Sequence, residues 1–326
     1  MTGFTPVPPH EPSLAPTGLS PVQPQESDGE ARLSIRRANW GLLFAVVGFL
    51  LCARLLARRT GLNPYWAEVP FFGLLPLMLI RRDGARPAVA LRLNRLEPEQ
   101  VGLAVGVYAL SLLVVVAVAV TTLSAVSALG YHEWDPGGNP LIDYAGTLNQ
   151  SLFYFAVIPA VCEEIFFRGY LLRSYSQLGI WRAVIMNSLL FGLLHGSVIR
   201  LPITFTIGVI LSLLTLKTGS LVPSMVVHFV NNAVAVTLAN GLSRLFPQAG
   251  AATTAARIPS VPPAAVAIVC AVGLAAAVAI WAIVRPERPF PRPPESLWPA
   301  LKRSLLALPV LIVEAFYLFL NFRGLR

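Results

Sequence analysis

The chain has 326 residues, of which 55% are hydrophobic and only 13% are charged, and its net charge is +9. This composition excludes an ordinary soluble enzyme and a disordered chain, because both need more polar residues. It favours a polytopic membrane protein whose apolar residues lie in runs of about 20. The bias of basic residues toward the cytoplasmic side of a membrane explains the charge better than a nucleic-acid partner does, since no basic stretch is interleaved with aromatic residues.

Nine apolar segments follow a tail at residues 1–31, which is rich in Pro, Ser, Gly and Glu and is expected to be disordered. Because a helix rises 1.5 Å per residue, about 20 residues cross the hydrocarbon core, and we predict an all-α polytopic membrane helix bundle of about eight transmembrane helices. The ninth segment contains Pro309 and Glu314 and is expected either to span the membrane or to lie at its interface. The segments are 39–57, 65–80, 101–129, 149–172, 182–199, 201–216, 221–239, 262–284 and 305–322.

The distribution of arginine predicts the topology. Loop 81–100 is rich in arginine, whereas loop 130–146 has no arginine or lysine and carries acidic residues instead. Loop 81–100 and the N-terminus are therefore placed in the cytoplasm. We divide the chain into the tail at 1–31, N-terminal transmembrane helices at 32–146, a core at 147–242 that holds the polar motifs described next, and C-terminal transmembrane helices at 243–326.

Ionisable residues inside apolar segments are costly and are candidates for function. The only acidic residues between 147 and 243 are Glu163 and Glu164. On a helix, Glu164 and Arg168 are i,i+4 neighbours that can pair, which neutralises one carboxylate and leaves Glu163, about 100° further round, free to act as a base. The alternative interpretation is a pair of interfacial carboxylates beside cytoplasmic arginines.

Two further polar clusters lie on later apolar segments. Asn187, Phe191 and His195 recur every four residues and share one helix face, as do His228 and Asn232. Each cluster alone is compatible with hydrogen bonding between helices. Because such clusters occur on successive apolar segments, we expect them to meet around one hydrated pocket.

The three cysteines are expected to be small residues of the membrane core. They lie in separate apolar runs without a CxxC pair, which argues against a cysteine-based metal or redox centre. They are Cys52, Cys162 and Cys270.

These motifs resemble those of the CAAX prenyl protease type II and bacteriocin-processing family (CPBP, or Abi) of glutamate-dependent intramembrane proteases. That family carries EExxxR, then FxxxH, then HxxxN on successive transmembrane helices. The sequence has all of them in this order over roughly residues 147–242. The matching residues are Glu163, Glu164 and Arg168, then Phe191 and His195, then His228 and Asn232.

The resemblance implies an intramembrane endopeptidase. Glu163 and His195 would activate a water molecule that attacks the scissile carbonyl, while His228 and Asn232 would donate hydrogen bonds to the oxyanion. Glu164 and Arg168 would give structural support, and Phe191 would pack beside the site. A buried base and preorganised donors are what acyl transfer to water requires.

A metal-free site is the favoured interpretation. Zinc is the alternative, with Glu163, His195 and His228 as its ligands and water in the open position. Against zinc, the HExxH motif is absent and His228 has an amide partner one turn away, which suits an oxyanion hole.

Two other functions remain open from the sequence: a membrane transporter, and a non-catalytic membrane scaffold or immunity protein. The expected partners are the lipid bilayer and a peptide or membrane-anchored protein substrate, with no nucleic acid. The composition, rich in Arg, Ala and Pro, is typical of bacteria with GC-rich genomes, so we expect an integral protein of the bacterial inner membrane with its N-terminus in the cytoplasm.

Overall fold

Helices dominate the structure, a computed structural model that describes residues 33–93, 97–130, 133–134, 147–245, 256–257, 261–285 and 296–324. The tail predicted to be disordered, 1–31, lies outside these residues. The all-α prediction is confirmed over the described part of the chain, where the only strands are β1 (Glu133–Trp134) and β2 (Ala256–Arg257), a two-residue antiparallel pair.

Each predicted apolar segment contains helix in the structure. The N-terminal half comprises α1 (Ile35–Arg59), α2 (Leu75–Arg82), α3 (Pro87–Leu91) and α4 (Pro98–Ala128). The motif-bearing region comprises α5 (Leu148–Leu152), α6 (Ile158–Glu164), α7 (Leu172–Tyr175), α8 (Ile180–Leu194), α9 (Leu201–Thr218) and α10 (Val222–Leu245). The C-terminal part comprises α11 (Pro263–Val284), α12 (Leu297–Arg303) and α13 (Leu308–Gly324).

Five helices of the described chain are long and apolar enough to cross a membrane, so the predicted eight spans are not confirmed. Helix α8 is shorter than these, as is the described apolar part of α13. The spans are Ile35–Arg59, Pro98–Ala128, Leu201–Thr218, Val222–Gly241 and Pro263–Val284.

The two predicted glutamates lie on a continuous helical stretch at 148–175, called here the glutamate helix. It begins with a capping box in which the backbone amide of Gln150 donates to Thr147 Oγ1 at 3.3 Å and the backbone amide of Thr147 donates to Gln150 Oε1 at 2.8 Å. Wider π-helical turns at Phe153–Val157 and Ile165–Leu171 flank α6, which carries both glutamates. Such turns occur frequently where a helix contributes to a functional site.

Helices α8 and α9 pack closely because small residues face each other at their crossing. A Cβ atom on Gly208 would lie 2.9 Å from the Cβ atom of Ser188, so only glycine fits here without a shift. Nearby, Asn187 Nδ2 donates to Ser212 Oγ at 3.2 Å. This close approach brings the backbone of α9 toward the glutamate helix.

Polar contacts tie the start of α1 to distant parts of the chain. Arg37 forms an ion pair with Asp83, just after α2, and the amide of Ser34 donates to Asp83 Oδ2 at 3.0 Å. Buried Asn39 accepts a hydrogen bond from Tyr175 Oη at 2.8 Å. The start of α1 and the ends of α2 and the glutamate helix therefore lie at the same end of the bundle.

Candidate functional site

Both glutamates of the first motif are buried inside the helix bundle. Glu163 is 8% exposed and Glu164 is fully buried. Successive residues on a helix lie about 100° apart, so the two side chains face different neighbours. The separate environments of these two carboxylates determine what each can do.

Glu164 is neutralised by a buried ion pair. Its Oε1 atom lies 2.6 Å from Arg168 Nη1, and neither side chain is accessible to solvent. The arginine is held further by a hydrogen bond of 3.4 Å from Nη2 to the carbonyl of Gly208 and by the ring of Phe191, whose centroid lies 4.2 Å from Cζ. These contacts offset part of the cost of burying the guanidinium group.

His228 joins the third motif to both glutamates. Its Nδ1 atom lies 2.9 Å from Glu164 Oε1, within hydrogen-bonding distance, and its Nε2 atom lies 3.9 Å from Glu163 Oε2. The sequence did not indicate the contact with Glu164, because 64 positions separate the two residues. His228 is thereby oriented with one ring nitrogen anchored and the other facing Glu163.

Glu163 has a carboxylate oxygen that is available for chemistry. Within the described part of the chain, its buried Oε2 atom has no hydrogen-bond partner, because the 3.9 Å to His228 Nε2 exceeds hydrogen-bonding distance. A carboxylate oxygen in this position can accept a proton from a small nucleophile held between it and the imidazole.

The side-chain amide of Asn232, expected to donate to an oxyanion, donates to the glutamate helix instead. Its Nδ2 atom donates to the backbone carbonyl of Phe155 at 3.1 Å, and its Oδ1 atom accepts from Asn231 Nδ2 at 3.4 Å. The amide expected to stabilise an oxyanion thus satisfies a carbonyl at a π-helical turn in this structure.

His195 lies at the end of α8, and the predicted continuation of this helix to residue 199 is wrong. The helix ends at Leu194, and Gly196 follows the His195 cap with a φ of 65°, the left-handed conformation that commonly ends helices. His195 Nδ1 lies 3.0 Å from the carbonyl of Phe191. The half-buried imidazole therefore lies on the turn that ends α8.

Phe191 connects the two histidines. Its ring centroid lies 5.0 Å from that of His195 and 5.9 Å from that of His228, in edge-on geometry in both cases. The structure thus brings Glu163, Glu164, Arg168 and His228 into direct neighbourhood and places His195 against the ring of Phe191, which also contacts His228. Asn187 points instead to Ser212 on α9.

A further buried carboxylate, Glu68, was missed by the sequence analysis. It is 3% exposed and close enough to Glu163 for their charges to interact. The available signal was an acidic residue near the start of the apolar segment 65–80, the same feature that singled out Glu163.

The metal-free site stays a prediction, with zinc as its alternative. Among the described residues, no group of three or more His, Cys, Asp or Glu side chains is arranged to hold a metal ion. His228 directs Nδ1 to Glu164, and His195 directs Nδ1 to a backbone carbonyl. The mechanism proposed below is the metal-free one.

Comparison with known proteins agrees with the motifs. The family model described as type II CAAX prenyl endopeptidase Rce1-like matches residues 147–234, which include both motif glutamates, both motif histidines and Asn232. No curated protein and no solved structure matches the chain. The resemblance drawn from the motifs is confirmed over this segment: residues 147–234 match the Rce1-like type II CAAX prenyl endopeptidase family.

Proposed function

We propose that the protein is an intramembrane endopeptidase that hydrolyses a peptide bond of a membrane-associated peptide or protein. The observation that carries the proposal is the position of Glu163: a buried carboxylate with an unpaired oxygen 3.9 Å from an imidazole nitrogen, within the segment that matches the endopeptidase family. An unpaired ionisable group inside a membrane bundle is costly and is expected where chemistry requires it.

In this mechanism Glu163 accepts a proton from a water molecule, and the water oxygen bonds to the carbonyl carbon of the substrate. His195, whose ring packs against Phe191, helps to hold this water molecule. As the tetrahedral intermediate collapses, the carbon–nitrogen bond breaks and Glu163 returns the proton to the leaving amine. The products are a carboxylic acid and an amine, the acid passes its proton to the amine to give carboxylate and ammonium, and the enzyme is restored.

His228 and Asn232 act on the oxyanion. If Nδ1 donates its proton to Glu164, the ring can donate to the developing negative charge only when Nε2 also carries a proton. The ion pair between Glu164 and Arg168 holds this ring in place from behind. Asn232 reaches the oxyanion only if its amide leaves the carbonyl of Phe155, which substrate binding would have to bring about.

The bilayer is the medium in which this site works, and the proposed orientation follows from the arginines. The ion pair between Arg37 and Asp83 holds the start of α1 and the end of α2 at one end of the bundle. Arginines cluster at this end, namely Arg36, Arg37, Arg81 and Arg82, so we place it in the cytoplasm. The bacterial inner membrane is the proposed location.

Mass spectrometry of membrane peptides tests the proposal. Cells that produce the wild-type protein should accumulate cleaved peptides that are absent when Glu163→Gln replaces it at equal abundance. The matched control is Glu314→Gln, which changes a partly buried carboxylate on α13 and should leave the peptides unchanged. The same peptides with Glu163→Gln as with the wild type would refute proteolysis at this site and would favour a non-catalytic scaffold.

A further inference from the structure

Glu68 belongs to none of the motifs of the endopeptidase site, yet it is as deeply buried as the motif glutamates. It is 3% exposed, and within the described part of the chain its buried Oε2 atom has no hydrogen-bond partner. An unsatisfied carboxylate in a bundle interior is destabilising, because burial removes the water that would otherwise solvate it. The burial of Glu68 therefore needs a physical explanation.

Aromatic contacts on both sides of Glu68 fix its segment against the glutamate helix. Tyr65 packs edge-on against Phe155, with ring centroids 4.7 Å apart, and Phe72 packs edge-on against Phe166 at 5.3 Å. In the sequence of its own segment, Glu68 lies between Tyr65 and Phe72. On the glutamate helix, Glu163 lies between their partners, Phe155 and Phe166, in the same way.

The packing between the two contacts is tight. A Cβ atom on Gly73 would lie 3.3 Å from Cys162 Sγ, so the segment that follows Glu68 approaches the residue directly before Glu163. Glu68 and Glu163 are close enough for charges on them to interact, and Cys162 lies within the same range of both. Two carboxylates, each with an unpaired oxygen, are therefore enclosed together.

We infer that Glu68 is a positioning residue for Glu163. Glu68 supplies the hydrogen bond that holds the Glu163 carboxylate in its working orientation. Two enclosed carboxylates repel each other unless a proton lies between them, and a shared proton converts the repulsion into a strong hydrogen bond. Glu164 does not play this part, because its ion pair with Arg168 keeps it ionised and leaves it no proton to share. The inference rests on the proposed function.

Two substitutions at Glu68 separate positioning from packing. Gln keeps the size of the side chain and the ability to donate a hydrogen bond, whereas Met keeps the size alone. We expect Glu68→Gln to retain most of kcat, and Glu68→Met to lower kcat by about 10- to 100-fold with KM within about twofold, as when a catalytic group is misplaced by up to 1 Å. Glu314→Gln is the matched control and should leave both constants unchanged.

Several outcomes would overturn the inference. Wild-type kcat for Glu68→Met would show that no hydrogen bond is needed, and loss of kcat in folded Glu68→Gln would show that donation alone does not explain the role. If Glu68→Met fails to fold, infrared spectroscopy of the purified protein tests the inference through the absorption band of protonated carboxyl groups. Glu68→Gln should remove or shift this band, and an unchanged band would refute the inference. Glu163→Gln, assayed in parallel, separates this result from the proposed function, which fails if that variant still cleaves.

Discussion

Replacing Arg168 by Met tests the buried ion pair that supports His228. The substitution keeps an unbranched apolar stem but removes the guanidinium group that lies 2.6 Å from Glu164 and 4.2 Å from the ring centroid of Phe191. Removing one partner of a buried pair costs about 3–5 kcal/mol, because the other charge stays buried without compensation. Loss of the cation–π contact adds about 0.5–2 kcal/mol.

The double variant Glu164→Gln/Arg168→Met provides the control within the same site. Gln retains an oxygen that can accept the hydrogen bond from His228, and no buried charge is left unpaired. We expect its free energy of unfolding to lie within about 1 kcal/mol of the wild type, since replacing a whole buried pair is often neutral. Glu164→Gln alone should be destabilised like Arg168→Met, because it leaves the arginine unpaired.

Equilibrium unfolding in mixed micelles measures all four proteins, and the coupling energy follows from the double-mutant cycle. The expected cycle is strongly non-additive, with the double variant more stable than either single variant. If Arg168→Met costs less than about 1 kcal/mol, or if the single effects simply add, the ion pair is not what stabilises this part of the bundle.

Further predictions concern Asn232 and a packed glycine. Asn232→Leu should lower the free energy of unfolding by about 1 kcal/mol, because the hydrogen bond to the carbonyl of Phe155 is lost. If the amide also donates to the oxyanion, the substitution should lower the cleavage rate by about 10²- to 10³-fold. Equal cleavage by this variant and the wild type would remove Asn232 from the mechanism. Gly208→Ala should destabilise the protein by about 1–3 kcal/mol, because the added methyl group meets Ser188. Gly241→Ala, in open space on α10, should be neutral or stabilising in the same unfolding assay, and equal effects of the two substitutions would contradict the packing explanation.

The positions of the helices could be predicted from the sequence because apolar runs in a membrane protein have few alternatives to helix. The pairing of Glu164 with Arg168 was predictable for a similar reason, since an i,i+4 spacing fixes the neighbourhood locally. The end of α8 was predictable in principle from the pair His195–Gly196, which is a typical helix-terminating pattern, but the apolar run concealed it.

The contacts between distant segments could not be predicted from spacing. The bond from His228 to Glu164 and the turn of Asn232 toward Phe155 depend on how α10 packs against the glutamate helix. The proximity of Glu68 to Glu163 depends equally on the packing of two segments almost 100 residues apart. A motif specifies which residues share a helix face, whereas the rotation of each helix against its neighbours decides which atoms meet.

Hydrolysis in ¹⁸O-labelled water tests the central claim, that Glu163 activates water for peptide cleavage, most directly. The purified wild-type protein in lipid vesicles is incubated with a peptide identified from the membrane comparison, and the new carboxyl terminus is analysed by mass spectrometry. The account predicts one ¹⁸O atom in the new terminus with the wild type and no product with Glu163→Gln. Labelled product at the wild-type rate from Glu163→Gln would contradict it.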